Sequence, residues 1–288
     1  MNKLKTVAIS ALNNTEEVCD VIKLCSEVLL NKGVKVILSD NLKKLHLQGL
    51  SLRSDNYILS HADLLVAVGG DGTMLNLSTK FGSKGLPILG INLGNLGFLT
   101  DIYPEKLTSS IGDLLNGLFQ REERIFLEAT HKKKKFLALN EITIHSGAIA
   151  KMIEYELYVD DKFVFRQKAD GLIISTSTGS TAYSLSAGGP IIHPEIDAIL
   201  VLPMFAHNLN SRSLMIPADC SAEILILGKK TRAKLNHDGN DAISLLEGDR
   251  IKISKAKSRL TLIHPKKHDF YSSCREKLGW SVGYAKKK

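Results

Sequence analysis

The sequence predicts an α/β N-terminal domain with a parallel, doubly wound sheet, followed by a β-rich, sandwich-like C-terminal domain. Two observations carry this. Strand and helix patterns alternate up to residue 91, and beyond residue 101 short strand-like runs succeed one another at spacings of about eight to twelve residues. A third observation, the helix-like run Phe270 to Leu278 after the last strand, predicts a C-terminal helix that packs back on the first domain. The expected boundaries are therefore residues 1–101, 102–268 and 269–288.

Thr6-Val7-Ala8-Ile9-Ser10 is the first strand. From Thr15 to Leu30 the apolar positions Val18, Val21, Ile22, Cys25, Val28 and Leu29 recur at three and four, which predicts an amphipathic helix with Cys25 in the core. Gly33 ends it, and Val34 to Leu38 is the second strand. Residues 39–60 are polar and carry no clear period. Leu64 to Val68 is a short, wholly apolar run and reads as a buried strand. A helix follows, with Thr73 as its expected N-cap, and ends near Gly82; Pro87 to Ile91 is the next strand. Leu107 to Leu118 is helix-like. The later strand-like runs are Ile125 to Thr130, Phe136 to Leu139, Ile142 to His145, Tyr155 to Val159, Phe163 to Gln167, Gly171 to Ser175, Ile199 to Leu202, Ala222 to Leu227 and Arg250 to Ile253.

Composition bounds the function without choosing it. The chain has 288 residues, 44% hydrophobic and 24% charged, which are ordinary globular values. No apolar run approaches the ~20 residues of a membrane span, and no signal peptide is expected before the first strand. Cys19, Cys25, Cys220 and Cys274 form no C-x-x-C pair, so neither a zinc site nor a disulfide framework is expected, and a reducing cytoplasm is the simplest compartment. The net charge of +8 suits phosphorylated substrates as well as nucleic acid. Lys132 to Lys135 reads as a hairpin tip and Lys286 to Lys288 as a tail. No nucleic-acid-binding signature is present, and neither nucleic acid nor a membrane is an expected partner.

Three stretches carry chemistry. The first is Gly69-Gly70-Asp71-Gly72-Thr73, where a strand breaks at glycines and enters a helix. Backbone N–H groups at a helix start favour phosphate. A carboxylate there needs a proton or a metal ion to take, and both belong to phosphoryl transfer. The bland alternative is a tight turn with Asp71 exposed. The second stretch is Asp170 to Pro190, a strand that ends in hydroxyl residues around Gly179 and then enters a helix at Thr181. Hydroxyls there suit a sugar or phosphate, or form their own Ser/Thr turns. Tyr183 either lays its ring on a base or packs in the core. The third is Asn140-Glu141, which interrupts an apolar strand; the pair forms a bulge or turn, or presents an amide and a carboxylate to a ligand.

Together these stretches resemble NAD kinases over roughly Val7 to Leu278. The resemblance rests on Gly69-Gly70-Asp71-Gly72-Thr73-Met74-Leu75, Leu89-Gly90-Ile91-Asn92, Gly94 to Asp101, Asn140-Glu141 and Asp170 through Pro190. The Gly-Gly-Asp-Gly element is shared with diacylglycerol and sphingosine kinases; the Thr178 to Ser184 run is far more particular. The resemblance implies phosphorylation of the 2′-hydroxyl of the adenosine ribose of NAD, with ATP or polyphosphate as donor and a divalent cation, magnesium or manganese. It implies Asp71 as the catalytic base and Gly69, Gly70, Gly72 and Thr73 as the phosphate loop, with Gly72 also against the NAD. It implies Asn140 and Glu141 at the adenosine half, Asp170 at the nicotinamide end, and Thr181, Ala182, Tyr183, Ser184, Leu185 and Ser186 lining the pocket. Lys151, Lys168 and Asn240 match weaker positions of the family pattern. The family works as a homo-oligomer, so a homodimer or homotetramer is implied. Leu93 stands where bacterial members usually carry arginine, Ser177 where proline is common and Ala169 where glycine is common. A lipid kinase would explain Asp71 but not Asn140, Glu141 and Tyr183. A pure NAD sensor could dispense with Asp71.

Overall fold

The computed structural model describes residues 4–45, 49–94, 97–147, 151–208, 210–228, 232–240 and 243–280. Asn95, Leu96 and the Lys286 to Lys288 tail lie outside them. The chain forms two compact units, 1–123 with 260–288 and 124–259. Among the described residues no helix is long and apolar enough to cross a membrane.

The first unit opens with β1 (Thr6–Ser10), α1 (Glu16–Asn31), β2 (Lys35–Ser39), β3 (Ser51–Arg53), α2 (Asp55–His61), β4 (Leu64–Val68), α3 (Asp71–Lys80), β5 (Ile88–Ile91) and α4 (Leu107–Leu115). β6 (Phe119–His131) runs on past the boundary at residue 123. Thr15 caps α1 by accepting the Val18 N–H, and Gly33, at φ 75°, lets the chain turn into β2. Val18, Val21, Ile22, Cys25 and Leu29 bury one face of α1. Each fully buried aliphatic side chain contributes about 1.5–3 kcal/mol of transfer free energy. Burial also pushes the Cys25 thiol up to about 12, as befits a packing residue. The five strands lie parallel in the order β3-β2-β1-β4-β5. β4 is buried at every position, which is why its sequence is continuously apolar rather than alternating. The order runs outward from β1 in both directions, so the loops leaving β1 and β4 part at a topological switch point, where open α/β sheets bind ligands. Asp71 follows β4 there.

The second unit contains β7 (Lys134–Ala138), β8 (Glu141–His145), β9 (Ile153–Val159), β10 (Lys162–Ala169), β11 (Gly171–Thr176), α5 (Tyr183–Ser186), β12 (Ala198–Met204), β13 (Leu214–Pro217), β14 (Ala222–Leu227), β15 (Ala233–His237) and β16 (Ile243–Leu245). β17 (Arg250–Pro265) follows and returns to the first unit after residue 259. One sheet has the order β13-β12-β11-β8-β15-β16 and is antiparallel throughout. A second antiparallel layer runs β10-β9-β14-β17. Ile142, Ile144, Leu172 and Ile174 of the first layer share one core with Tyr155, Leu157, Ile224 and Ile226 of the second, as in a sandwich. The alternating burial of β9 and β14 follows from this: every second side chain enters the core. Lys132, at φ 55°, turns β6 into β7, so the basic run is a hairpin tip.

α6 (Phe270–Leu278) closes the chain and belongs to the first unit. Asp269 caps it by accepting the Tyr271 and Ser272 N–H groups. In the same unit the end of β17 adds beside β5, with Leu262 opposite Ile88.

Two helix starts differ from expectation. The helix after β4 begins at Asp71, with Gly70 as its N-cap, and Thr73 lies inside its first turn. Asp71 does not cap it because its carboxylate is drawn to other amides; as an acidic first-turn residue it still complements the helix dipole. The hydroxyl run does not enter a helix at Thr181. A short 3-10 turn, Thr178–Thr181, precedes the four-residue α5, and neither has a side-chain cap.

Candidate active site

Asp71 is built by three segments of the first unit. Gly69 ends β4 with its N–H on the Ile91 carbonyl, and Gly70 carries the chain in an extended conformation into α3. Phe98 N–H donates to Asp71 Oδ2 at 3.0 Å and Leu99 N–H to Oδ1 at 3.1 Å. Lys277 Nζ on α6 lies 3.3 Å from Oδ2. The loop approaches so closely that a Cβ on Gly97 would lie 2.0 Å from Asp71 Oδ1 and 2.4 Å from Thr100 Oγ1, so this position must be glycine. Gly72 faces open space, where a ligand can meet the backbone. Thr73 is buried. Leu93 is half-buried against the core of the unit and brings no charge to the loop.

Two residues beyond Leu99, Asp101 joins a buried cluster. His264 Nδ1 pairs with Asp101 and its Nε2 lies 3.2 Å from Glu122. His268 faces the same two carboxylates at 3.2 and 3.9 Å. The ligand atoms of Asp101, His264 and His268 all fall within 4.8 Å of one another. The rings stack at 4.1 Å with planes 17° apart, and both Nδ1 atoms address the same Asp101 oxygen while both Nε2 atoms face the same Glu122 oxygen. Each ring nitrogen thus already faces a carboxylate, as in a hydrogen-bonded ion-pair cluster. Burial works against the imidazolium, but hydrogen bonds to Asp101 and Glu122 outweigh it and raise His264 to about 9. Burial likewise opposes ionisation of Asp101, and bonds from His264 and His268 win, holding its carboxyl well below the usual carboxylate range.

In the second unit Asn140 and Glu141 form a tight corner into β8. The Asp238 carboxylate accepts three successive amides, from Leu139 at 2.6 Å, Asn140 at 2.8 Å and Glu141 at 3.1 Å. Asp238 sits at φ 46° and Gly239 at 72°, a left-handed pair that turns this carboxylate back on the corner. Gly179 packs on the other side, where a Cβ would fall 2.2 Å from the Asn140 carbonyl. Thr176 N–H donates to that carbonyl at 2.9 Å.

Glu141 is 8% exposed, and its Oε2 has no hydrogen-bond partner among the described residues. Burial and then the neighbouring charge of Asp238 push its carboxyl up to about 8, so it carries a proton at neutral pH. A buried carboxyl with an unpartnered oxygen is poised to hydrogen-bond a ligand. The folded chain keeps this proton up to about 8 and the unfolded chain loses it near 4.5, so stability falls as pH rises between those values. Glu141→Gln keeps the shape and cannot ionise. Its melting temperature, followed by calorimetry, is expected to lose that part of the decline between about pH 5 and 8; a curve parallel to that of the wild type would place the proton elsewhere.

The hydroxyl run is largely consumed by its own fold. Ser175 and Thr176 bond to the carbonyls of Asn140 and Leu139, Ser177 to that of Ile196, and Ser180 to that of Ser177. Arg124 donates to Thr178 Oγ1 at 3.1 Å. Thr181 bonds back to the Thr178 carbonyl. Tyr183 is 46% exposed, which favours an open ring over core packing. Ser184 is buried with its Oγ unpartnered among the described residues; Ala182 and Leu185 are half-buried and Ser186 is exposed. Asp170 is half-buried at the head of β11, its N–H on the Met204 carbonyl. Lys168 is exposed and pairs with Glu154 at 3.4 Å, and Lys151 is exposed. Asn240 is exposed and closes its own turn on the His237 carbonyl.

Sequence reading missed Asp238 and Lys277. The Asp238-Gly239 turn dipeptide was a signal for the first; nothing in the helix pattern of α6 pointed to the second.

Sequence models of the ATP-NAD kinase N-terminal and C-terminal domains match residues 7–119 and 139–265. The chain is 40% identical to the NAD kinase of Azotobacter vinelandii over 97% of both proteins. It is 42% identical to that of Teredinibacter turnerae over 88% of this chain and 87% of that one. Yeast NADH kinase, solved with NADH, superposes with a TM-score of 0.91 at 28% identity, covering 100% of this chain and 91% of the other. An NAD kinase from Archaeoglobus fulgidus, solved with ATP, gives 0.76 at 27% identity, covering 95% and 97%.

Proposed function

The chain belongs to the NAD kinase family, and we propose that it transfers a phosphoryl group to the 2′-hydroxyl of the adenosine ribose of NAD, giving NADP. The observation that carries the reading is Asp71, set at the start of α3 in a glycine loop with both carboxylate oxygens fixed by amides. In this reading Asp71 accepts the 2′-hydroxyl proton as the 2′-oxygen attacks the terminal phosphorus in line. Gly70 and Gly72 offer backbone N–H groups to the donor phosphates at the helix N-terminus, while Gly69 and Thr73, whose N–H groups are taken by the Ile91 and Gly70 carbonyls, shape the loop. Asn140 and the protonated Glu141 hold the adenosine, and the corner made by Asp238 and Gly179 keeps them in place. Tyr183 meets the adenine, Ser184 offers its unpartnered hydroxyl, and Thr181, Ala182, Leu185 and Ser186 line the acceptor. Asp170 meets the nicotinamide end, with Lys151, Lys168 and Asn240 at its margin.

ATP is the donor in this proposal, polyphosphate the substitute, and magnesium or manganese arrives with the donor. A carboxylate has about four lone-pair positions, and three donors already address Asp71. The remaining position is the one that takes the 2′-hydroxyl proton, so the cation would be held by the donor phosphates, whose charge it would neutralise. The transition state is loose, so positioning and charge neutralisation carry most of the work.

Four free cysteines suit a cytoplasmic location, and a homodimer or homotetramer is the proposed assembly, which sedimentation velocity tests. The direct test incubates the chain with NAD, ATP and magnesium and measures NADP, with polyphosphate and manganese as parallel arms. No NADP from any donor or metal would sink the reading.

A further inference from the structure

We propose that Lys277 is a positioning residue of the active site, holding the Asp71 carboxylate in the orientation that proton transfer needs. The inference rests on the role of Asp71 proposed above.

Asp71 receives two amides from one side, both from the 97–101 loop. Two bonds from adjacent amides leave the carboxylate able to rock about the line joining them. Lys277 supplies the third donor, from a different element, at 3.3 Å from Oδ2. Its ammonium also lies 4.3 Å over the Phe98 ring, whose own N–H bonds to the same oxygen. Amide, ring and ammonium thus close around Oδ2. The side chains of Lys277 and Asp71 are 23% and 32% exposed, so the pair is largely shielded. Nearby on the same helix, Arg275 turns away to Asp269 at 3.2 Å. The helix itself is seated on the loop, with Phe270 6.4 Å from Phe98 and Cys274 buried.

The competing account is a structural ion pair at a helix end. An ion pair with both side chains partly open to water, and a cation over an aromatic ring, contribute only modestly to stability. Such a pair would move the melting temperature and leave turnover alone. The two accounts therefore separate on kinetics.

Lys277→Met keeps an unbranched stem on Phe98 and deletes the charge; Lys277→Arg keeps the charge. Lys277→Met is expected to lower kcat about tenfold or more, with the KM for NAD within about threefold and the melting temperature within a few degrees. Lys277→Arg is expected to recover at least a third of wild-type turnover. In the Asp71→Asn background, Lys277→Met is expected to cost nothing further, because a residue acting through Asp71 has nothing left to position. A loss below twofold, or an equal loss in both backgrounds, overturns the proposal. Hydrogen exchange gives a readout independent of activity: the Phe98 and Leu99 amides should exchange faster in Lys277→Met, with the rest of the unit unchanged. If the wild-type chain forms no NADP, the kinase reading fails, and exchange at these two amides alone decides on Lys277. Unchanged exchange overturns it.

Discussion

Asp71→Asn is expected to lower kcat by roughly 10²–10⁴-fold, the usual contribution of a general base, with the KM for NAD within about threefold. The substitution is nearly isosteric, so the loop is retained. The amide oxygen can still accept one of the two N–H donors from Phe98 and Leu99, while its NH₂ group meets the other donor head-on. Lys277 loses its anion. One broken bond of this kind costs about 1–3 kcal/mol, so the variant remains folded at 25 °C and its turnover can be read. Initial rates of NADP formation and a melting curve on the same preparation make the measurement. A loss under about tenfold would remove the base role. Asp71 would then act by orienting the ribose, which a loose phosphoryl-transfer transition state permits.

Much of the fold was legible because the first unit obeys simple periods. β1 and β4 and the helices α1 and α6 fall within one or two residues of expectation, since each has an uninterrupted apolar pattern and α1 has a capping threonine. The missed elements lack that signal. β3 is Ser-Leu-Arg, exposed at every position, and β16 has three residues. β15 alternates, but Lys234, Asn236 and His237 dilute it to two buried side chains. The expected strand ran from Arg250 to Ile253, and Lys255, Lys257 and Arg259 interrupt the apolar pattern beyond it; in the structure Lys255 and Arg259 are strand residues that pair with Asp197.

The candidate residues could be picked out from the sequence, and the groups that support them could not. Asp71 and the Asn140-Glu141 corner stand out because glycines and polar residues break apolar strands. What holds them comes from far along the chain: Asp238 is 97 to 99 residues from the amides it receives, and Lys277 is 206 from Asp71. No local pattern encodes such pairs. The hydroxyl run shows the converse. Its residue types suggested a ligand, yet Ser175, Thr176, Ser177 and Ser180 are spent on backbone carbonyls, and within the run Ser184 is the residue buried with an unpartnered hydroxyl. Short polar runs at strand ends serve both ends equally well, so composition alone could not divide them.

His264→Gln is expected to destabilise the first unit by about 3–5 kcal/mol, the cost of removing one partner from a buried ion pair. His264 is 2% exposed and faces two carboxylates, so its loss removes a buried cation from both Asp101 and Glu122. At about 2–4 °C per kcal/mol for a unit of this size, the melting temperature should drop on the order of ten degrees. The pH dependence identifies the cause. His264 titrates near 9 in the folded chain against 6.5 unfolded, so its contribution is full below about 6.5 and is lost as pH rises through 9. Asp101, held low, contributes above its unfolded 3.8 and loses that contribution as pH falls. The wild-type melting temperature should therefore decline on the alkaline side between about pH 6.5 and 9, and His264→Gln should lack this decline while Asp101→Asn flattens the acid side. Glu141 produces its own decline between 4.5 and about 8, but in the second unit. Calorimetry of His264→Gln, Glu141→Gln and the double variant separates the two, since titrations in distinct units add. If His264→Gln keeps the alkaline decline in full, the proton that stabilises the cluster is not on His264. Asp101 closes the loop that supplies both Asp71 amides, so the same variant should also raise hydrogen exchange at Phe98 and Leu99.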